Sequence, residues 1–306
     1  MRMLPWIAVV ACTGISPLSA GSAAFLPDGR ILYAEDAVLQ IVTPGSEAPA
    51  TLLTYPEGFA PTNASVARAG EEIIVAGEEG AMAWKPGAPT EQAWRKVWTP
   101  PEGESLEDVA VDPKSGMAVF VTSTEEGTAS WWAMASREGK PGKVYNRRAN
   151  GAENPVFDAA GNLYFTLHGD VWKGGVEVGD SEEVPFVLTG TRIWPLAELE
   201  TGPGNSSGTG ANGILPLKDH LVVERSRLGG SGWGQIVRVP NADAFEAGSP
   251  LKWDELEESS SRCHVALSPD GGRALIYIRD AARWFEVDPA KGEITPLPKS
   301  VPPKGE

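Results

Sequence analysis

The chain has 306 residues, 42% of them hydrophobic, which is long and apolar enough to bury a sizeable core. Its formal net charge of -15 at pH 7 would repel a phosphate backbone, which argues against nucleic acid as a partner. Solubility explains this acidity, with a site for a cation or a basic partner as the alternative. Valine, isoleucine and aromatic residues fall in short runs broken by glycine, aspartate and proline, a pattern typical of strands.

The N-terminus has the layout of a secretory signal peptide over residues 1–20. Arg2 supplies a positive charge, residues 4–15 are largely apolar, and small residues follow up to Ala20. The apolar run is too short to span a bilayer, so we expect no transmembrane helix and cleavage after Ala20 or Ala23. As an alternative, the segment ending at Cys12 resembles a bacterial lipobox, in which Cys12 would be lipidated. The predicted location is secreted or periplasmic, with a membrane-anchored lipoprotein as the alternative.

From Ala23 onward the chain repeats a short apolar strand, a turn and a second apolar strand. The first copy joins 23–26 to 30–34 through Pro27-Asp28-Gly29, and Asp-Gly between two such runs is a strong hairpin signal. Six imperfect copies occur, and the other five turns lie near Gly70, Gly116, Gly161, Asp219 and Gly271.

A tryptophan at a similar distance after the turn forms a second landmark. It occurs in five of the six copies, as Trp84, Trp132, Trp172, Trp233 and Trp284. The tryptophan opens a third strand, as in the last copy at Trp284, and a turn and a fourth strand follow. We interpret these tryptophans as packing residues between neighbouring repeats.

Four antiparallel strands at a period of roughly 40 to 50 residues describe a propeller blade. An isolated blade cannot bury both faces of its sheet, so the copies must stack around an axis. The sequence therefore predicts an all-β, six-bladed β-propeller with four antiparallel strands per blade. It forms one domain, 21–300, followed by a tail, 301–306, and we expect a monomer. The ring would close by packing between blades or through residues just before Ala23.

The last copy, 265–277, resembles the repeat of TolB-like and WD-like six-bladed propellers, because it reads Val-Ala-Leu-Ser-Pro-Asp-Gly and continues into an apolar strand with Tyr277. This resemblance implies an architecture. It does not imply a function, because such folds host many functions.

A weaker similarity concerns gluconolactonase-like propellers. Glu153-Asn154-Pro155-Val156-Phe157-Asp158 is similar to their Glu-Gly-Pro-Val-Trp-Asp segment, and Asn212-Gly213 to their Asn-Gly segment. The resemblance implies a central divalent cation such as Ca²⁺, bound by Glu153 and Asn212. This chain departs from that family at Asn154, where the family has glycine, and it lacks an aspartate after Tyr164-Phe165.

Residues 200–213 interrupt the repeat with a loop rich in glycine and serine, and the turn 227–232 is lengthened in the same blade. Insertions in repeat proteins often decorate the binding face. The predicted binding residues are therefore Gly202, Asn205, Ser206, Gly208, Arg227 and Trp233. We assign no catalytic residue, because the G-x-S-x-G match at 204–208 lacks the strand-to-helix turn that a nucleophile needs.

Two functions remain open. The preferred one is an exported binding or scaffold protein without catalysis, which recognises a protein, peptide or glycan through one face. The alternative is a metal-dependent, lactonase-like hydrolase with a divalent cation in the central channel. At least three oxygen-bearing side chains converging on the axis, Glu153 or Asn212 among them, would favour the hydrolase.

Overall fold

A computed structural model describes residues 23–35, 38–43, 51–59, 65–77, 79–89, 92–126, 128–135, 139–146, 152–194, 209–216, 220–227, 234–240, 249–250, 263–267, 273–278, 283–288 and 293–297. These residues form 24 β-strands and no α-helix, which confirms the all-β prediction. In the same residues, no helix is long and apolar enough to cross a membrane. The predicted signal peptide, with Cys12, and the tail 301–306 lie outside the described residues.

The strands fall into six consecutive groups of four, which we call units one to six. Units one and two comprise β1 (Ala23–Phe25), β2 (Ile31–Glu35), β3 (Val38–Val42) and β4 (Thr51–Leu52), then β5 (Ser65–Ala69), β6 (Glu72–Gly77), β7 (Gly80–Trp84) and β8 (Trp94–Trp98). Units three and four comprise β9 (Glu104–Val111), β10 (Ala118–Thr124), β11 (Ala129–Met134) and β12 (Gly142–Asn146), then β13 (Ala152–Phe157), β14 (Leu163–Leu167), β15 (Asp170–Ser181) and β16 (Val184–Trp194). Units five and six comprise β17 (Thr209–Pro216), β18 (His220–Arg227), β19 (Gly234–Pro240) and β20 (Ser249–Pro250), then β21 (Cys263–Leu267), β22 (Ala274–Ile278), β23 (Arg283–Asp288) and β24 (Glu293–Pro296).

Within every unit the four strands pair in chain order, each antiparallel to the next. Units one, two, five and six are separate four-stranded sheets, as predicted. Units three and four differ from the prediction, because their outer strands β12 and β16 pair in parallel, with Val144 opposite Phe186. The two units therefore form one eight-stranded sheet.

The turn between the first and second strands has the predicted chemistry. In unit four, Asp158 Oδ1 accepts hydrogen bonds from the backbone N–H groups of Ala160 and Asn162, each at 2.8 Å. Gly161 has a φ of 82°, a left-handed conformation that glycine adopts without a steric penalty. The turn 112–116 of unit three is built in the same way. Aspartate and glycine therefore recur in these turns because each satisfies a local backbone requirement.

The corresponding turn of unit one carries an ion pair. Arg30 Nη2 lies 2.7 Å from Asp28 Oδ2. The side-chain hydrogen bond from Arg30 lowers the pKa of the Asp28 carboxyl below its usual value. Both side chains are exposed, so the pair adds little to the stability of the fold.

The buried core lies between units, where facing sheets pack against each other. Four clusters of buried apolar side chains fill the successive interfaces from unit one to unit five. Each cluster contains residues of both units, such as Leu32 and Ile73, Ala76 and Phe120, Val121 and Leu163, and Tyr164 and Ile214. Each unit therefore depends on its neighbours to bury its apolar faces.

A fifth cluster joins the last unit to the first. Leu275 and Leu297 of unit six are buried with Phe25, Ile31 and Tyr33 of unit one. The first strands of successive units are also neighbours from β1 to β21, and β21 lies beside β1. The units therefore close into a ring. Over the described residues, units one and six remain separate sheets, so they are joined by packing and not by strand pairing. Closure by packing was one of the two predicted possibilities.

Four of the five predicted tryptophans lie on third strands, and three of these pack as expected. Trp84, Trp132 and Trp172 each contact the cluster shared with the preceding unit. Trp84 ends β7 instead of opening it. Trp284 lies on β23, and Trp233 lies outside the described residues.

Candidate functional site

The strand register of unit five brings the ends of the two predicted binding loops together. Thr209, the first residue of β17, lies opposite Arg227, the last residue of β18. β19 begins at the same end of the sheet, at Gly234. The described residues Thr209, Arg227 and Gly234, which flank segments 195–208 and 228–233, therefore lie at one edge of the sheet. The predicted binding residues Gly202, Asn205, Ser206, Gly208 and Trp233 lie in these segments, outside the described residues.

β13 in unit four lies next to β17, and its second residue is the predicted ligand Glu153. Glu153 is half-buried and lies opposite Thr166 of β14. The next residue, Asn154, is buried with a φ of 53°, and its Nδ2 donates a hydrogen bond to Thr166 Oγ1 at 3.0 Å. Thr166 Oγ1 in turn donates to the carbonyl oxygen of Glu153 at 3.2 Å. This chain of bonds holds a β-bulge in place, because β13 shifts its register between Glu153 and Val156.

Replacing Asn154 with alanine should reduce the free energy of unfolding by about 2 kcal/mol, half from the lost hydrogen bond and half from a left-handed alanine. Asn154→Gly keeps the backbone freedom and loses only the bond, so we expect about half that effect. Urea denaturation of both variants measures the difference. Equal losses would mean that the left-handed backbone contributes nothing.

Similar irregularities occur on the neighbouring first strands. In β9, Glu107 is the extra residue between Leu106 and Asp108, which pair with consecutive residues of β10. In β17, Asn212 is the extra residue between Ala211 and Gly213. Bulges re-aim side chains and are common beside active sites. Glu107, Asn154 and Asn212 thus lie at breaks in three adjacent strands of the ring.

Sequence reasoning missed the acidic residues of β9. Glu104 Oε2 accepts hydrogen bonds from Thr122 Oγ1 at 2.5 Å and from the Trp132 indole at 3.0 Å. Glu107 Oε1 accepts one from Ser123 Oγ at 2.6 Å. Asp108 is buried, and its Oδ1 accepts the N–H of Val109. These residues could have been noticed in the sequence, because three acidic residues cluster just before the apolar run 109–111.

The predicted metal ligands Glu153 and Asn212 lie on adjacent first strands, but their convergence stays a prediction, because the Asn212 side chain is not described. Among the described residues, no three histidine, cysteine, aspartate or glutamate side chains are placed to hold a metal ion. Ca²⁺ requires about six to eight oxygen ligands. The described side chains alone do not fit a calcium site, and we derive no chemical step through a metal.

Comparison with known proteins identifies the fold of this chain but does not assign it to a family. No family model matches the chain, and no curated protein matches it significantly. Among solved structures, regucalcin from Agrobacterium tumefaciens str. C58, described as a calcium-binding protein, is similar with a TM-score of 0.59 and 15% identity, over 94% of each chain. The fold is a β-propeller. A luciferin-regenerating enzyme has a TM-score of 0.55 and 11% identity, over 94% of this chain and 96% of its own.

Hydrazine synthase from Kuenenia stuttgartiensis is also similar, with a TM-score of 0.53 and 10% identity. It is covered over 80% of its length, and this chain over 93%. These identities are low, and the proteins' names differ widely. The similarities therefore establish the propeller architecture and leave the function to the site itself.

Proposed function

We propose that this chain is an exported, six-bladed β-propeller that binds a protein, peptide or glycan through one face and performs no catalysis. The blades would be units one to six, in a single monomeric domain spanning 21–300. The observation that supports the proposal is the register of unit five, in which Thr209, Arg227 and Gly234, the residues that flank segments 195–208 and 228–233, lie at one edge of the sheet. Binding residues in repeat folds concentrate in such loops, because a rigid scaffold positions them.

Export is part of the proposal. Ala23, the first residue of β1, is buried and pairs with Tyr33 of β2. Cleavage after Ala23 would therefore remove a strand residue. Cleavage after Ala20 leaves the strand intact, so Ala20 is the cleavage position that we propose. The mass of the protein recovered from the periplasm or medium tests this. If Cys12→Ser abolishes processing and membrane association, the protein is a lipoprotein instead.

The binding experiment uses the purified protein on an array of glycans and an array of peptides. We expect at least one class of ligand to bind, and the combined variant Asn205→Ala, Arg227→Ala, Trp233→Ala to weaken it at least about tenfold. Glu182→Ala, an exposed substitution on the β15–β16 hairpin, is the matched control and should leave the affinity unchanged. An absence of binding on both arrays, or a loop variant that binds every detected ligand as tightly as Glu182→Ala does, would contradict the proposal.

The alternative is a lactonase-like hydrolase with a divalent cation in the central channel. Two observations favour keeping it: Glu153 and Asn212 lie on adjacent first strands, and the similar regucalcin structure is described as calcium-binding. Calcium should then raise the melting temperature of the wild-type protein and leave that of Glu153→Gln unchanged. Turnover of a lactone that is lost with EDTA would replace the binding proposal with this one.

A further inference from the structure

The hairpin formed by β15 and β16 is unusually long. β15 has 12 residues and β16 has 11, whereas β14 has 5. β14 pairs only with the part of β15 up to Gly174. Beyond that residue, segments 175–181 and 184–189 continue as a two-stranded arm that reaches β12 of unit three.

A cavity of about 590 Å³ lies along this hairpin, lined by hairpin residues and by Phe165 and Leu167 of β14. Phe165 and Trp172 line it as a stacked aromatic pair, with ring centroids 6.3 Å apart and planes at 18°. Trp172 is only half-buried, so part of its indole faces the cavity. The volume suits a small ligand of one or two rings, since small-molecule sites occupy about 300–1,000 Å³.

Polar groups line the rest of the cavity. The exposed carboxylates of Glu177 and Asp180 lie on β15, and Thr189 and Thr191 lie on the neighbouring strand β16, opposite Gly175 and Lys173. Thr189 Oγ1 donates a hydrogen bond to Glu177 Oε1 at 3.2 Å, which holds that carboxylate against the hairpin. Carboxylates accept several hydrogen bonds and threonine hydroxyls both donate and accept them.

Lys173, the cationic residue of the lining, contacts an aromatic ring. Lys173 Nζ lies over the ring of Tyr164, 5.5 Å from its centroid. The lining therefore carries two carboxylates and one ammonium group held by an aromatic face. This balance disfavours an anionic ligand.

We propose that this cavity is a second ligand site, which takes a neutral polyhydroxylated ligand such as a mono- or disaccharide. A sugar ring has an apolar face of C–H groups, which fits the Trp172 indole, and a rim of hydroxyls, which fits the carboxylates and threonines. The site shares no residue with the unit-five loops or with Glu153 and Asn212. It is therefore independent of the proposed function.

Isothermal titration with cellobiose, maltose and diacetylchitobiose tests the proposal on the purified protein. We expect at least one of them to bind with a Kd of about 1 mM or tighter. Thr191→Trp fills the cavity from an exposed position and should weaken that binding at least about tenfold. Glu177→Gln removes the negative charge with little change in shape and should also weaken it, because sugar hydroxyls donate more strongly to an ionised carboxylate.

Glu182→Trp adds the same bulk at the exposed tip of the hairpin, outside the cavity, and should bind as the wild type does. The unit-five loop variant should also keep its sugar affinity, which separates this site from the proposed binding face. No binding of any sugar, or equal affinity of Thr191→Trp and Glu182→Trp, would overturn the proposal. Preferential binding of trilysine in this cavity would overturn the assigned ligand class.

Discussion

Replacing Gly174 with alanine should lower the free energy of unfolding by about 3 kcal/mol, an effect at the upper end for overpacking. A Cβ atom at this position would lie 1.8 Å from the carbonyl oxygen of Thr189 and 2.6 Å from the Cα of Gly190. Both atoms belong to the backbone of β16, so no flexible side chain can move aside. The hairpin would have to open where the arm leaves unit four.

Gly175→Ala is the matched control for this prediction. A Cβ at 175 would meet no atom within 4 Å. Both variants exchange glycine for alanine on one strand, so their effects on the unfolded chain are alike and cancel in the comparison. We expect the control to stay within about 0.5 kcal/mol of the wild type in urea denaturation. Similar losses in both variants would show that the close approach at Gly174 does not constrain the fold.

Gly174 also lines the cavity that we propose as a sugar site, whereas Gly175 does not. Opening the hairpin at Gly174 should therefore weaken sugar binding more than the change at Gly175 does. The free energy of unfolding and the sugar affinity then report on one structural feature, the close approach of β15 and β16 at Gly174.

The repeat could be read from the sequence because its landmarks act locally. The turn that ends β13 needs a side chain that accepts backbone N–H bonds and a residue tolerant of positive φ, and Asp158 and Gly161 supply them within four residues. Trp84 and Trp132 mark third strands because each must cover the face of the preceding unit. Such requirements recur in every copy and leave a visible pattern.

The parallel pairing of β12 with β16 could not be read in the same way. It joins Val144 to Phe186 across 42 positions of chain, and no local motif specifies a parallel partner. The glycines at 174, 179 and 190 hint at the close approach of β15 and β16, which does not identify β12 as a partner. A Cβ at Gly179 would also lie 1.7 Å from the carbonyl oxygen of Val184. Glycine at such positions marks close backbone approach, which a repeat search reads as an ordinary turn.

The candidate binding face stays a prediction from the sequence. Segment 200–213 stood out because it broke the repeat, and the pairing of Thr209 with Arg227 places the end of that segment beside the end of the second loop. The bulges at Glu107 and Asn154 depend on strand register, which residue types alone do not specify. Sequence reasoning missed the cavity along β15 and β16, because the cavity depends on the path that the arm takes. Trp172 gave no further indication, since packing between units already explained it.

Leu275→Ala tests whether packing alone closes the ring. Leu275 is fully buried in the cluster that joins unit six to unit one, beside Phe25 and Tyr33. Removing its side-chain carbons should cost about 3 kcal/mol, because a buried leucine leaves both lost transfer free energy and a cavity. Urea denaturation measures this loss. Hydrogen exchange locates it, since the amides of β1 should exchange faster while those of β10, remote from this interface, keep their protection.

Val178→Ala is the control, because Val178 is 69% exposed and the substitution should change stability by no more than about 0.5 kcal/mol. If the units formed an open array, each interface would stabilise only the two units that share it. Loosening an interface of unit six would then leave the amides of β1 protected by the packing of unit one against unit two. In a closed ring, every unit has two neighbours, and loosening one interface exposes both units that flank it. Faster exchange in β22 alone, with β1 unchanged, would therefore contradict closure by the Leu275 cluster.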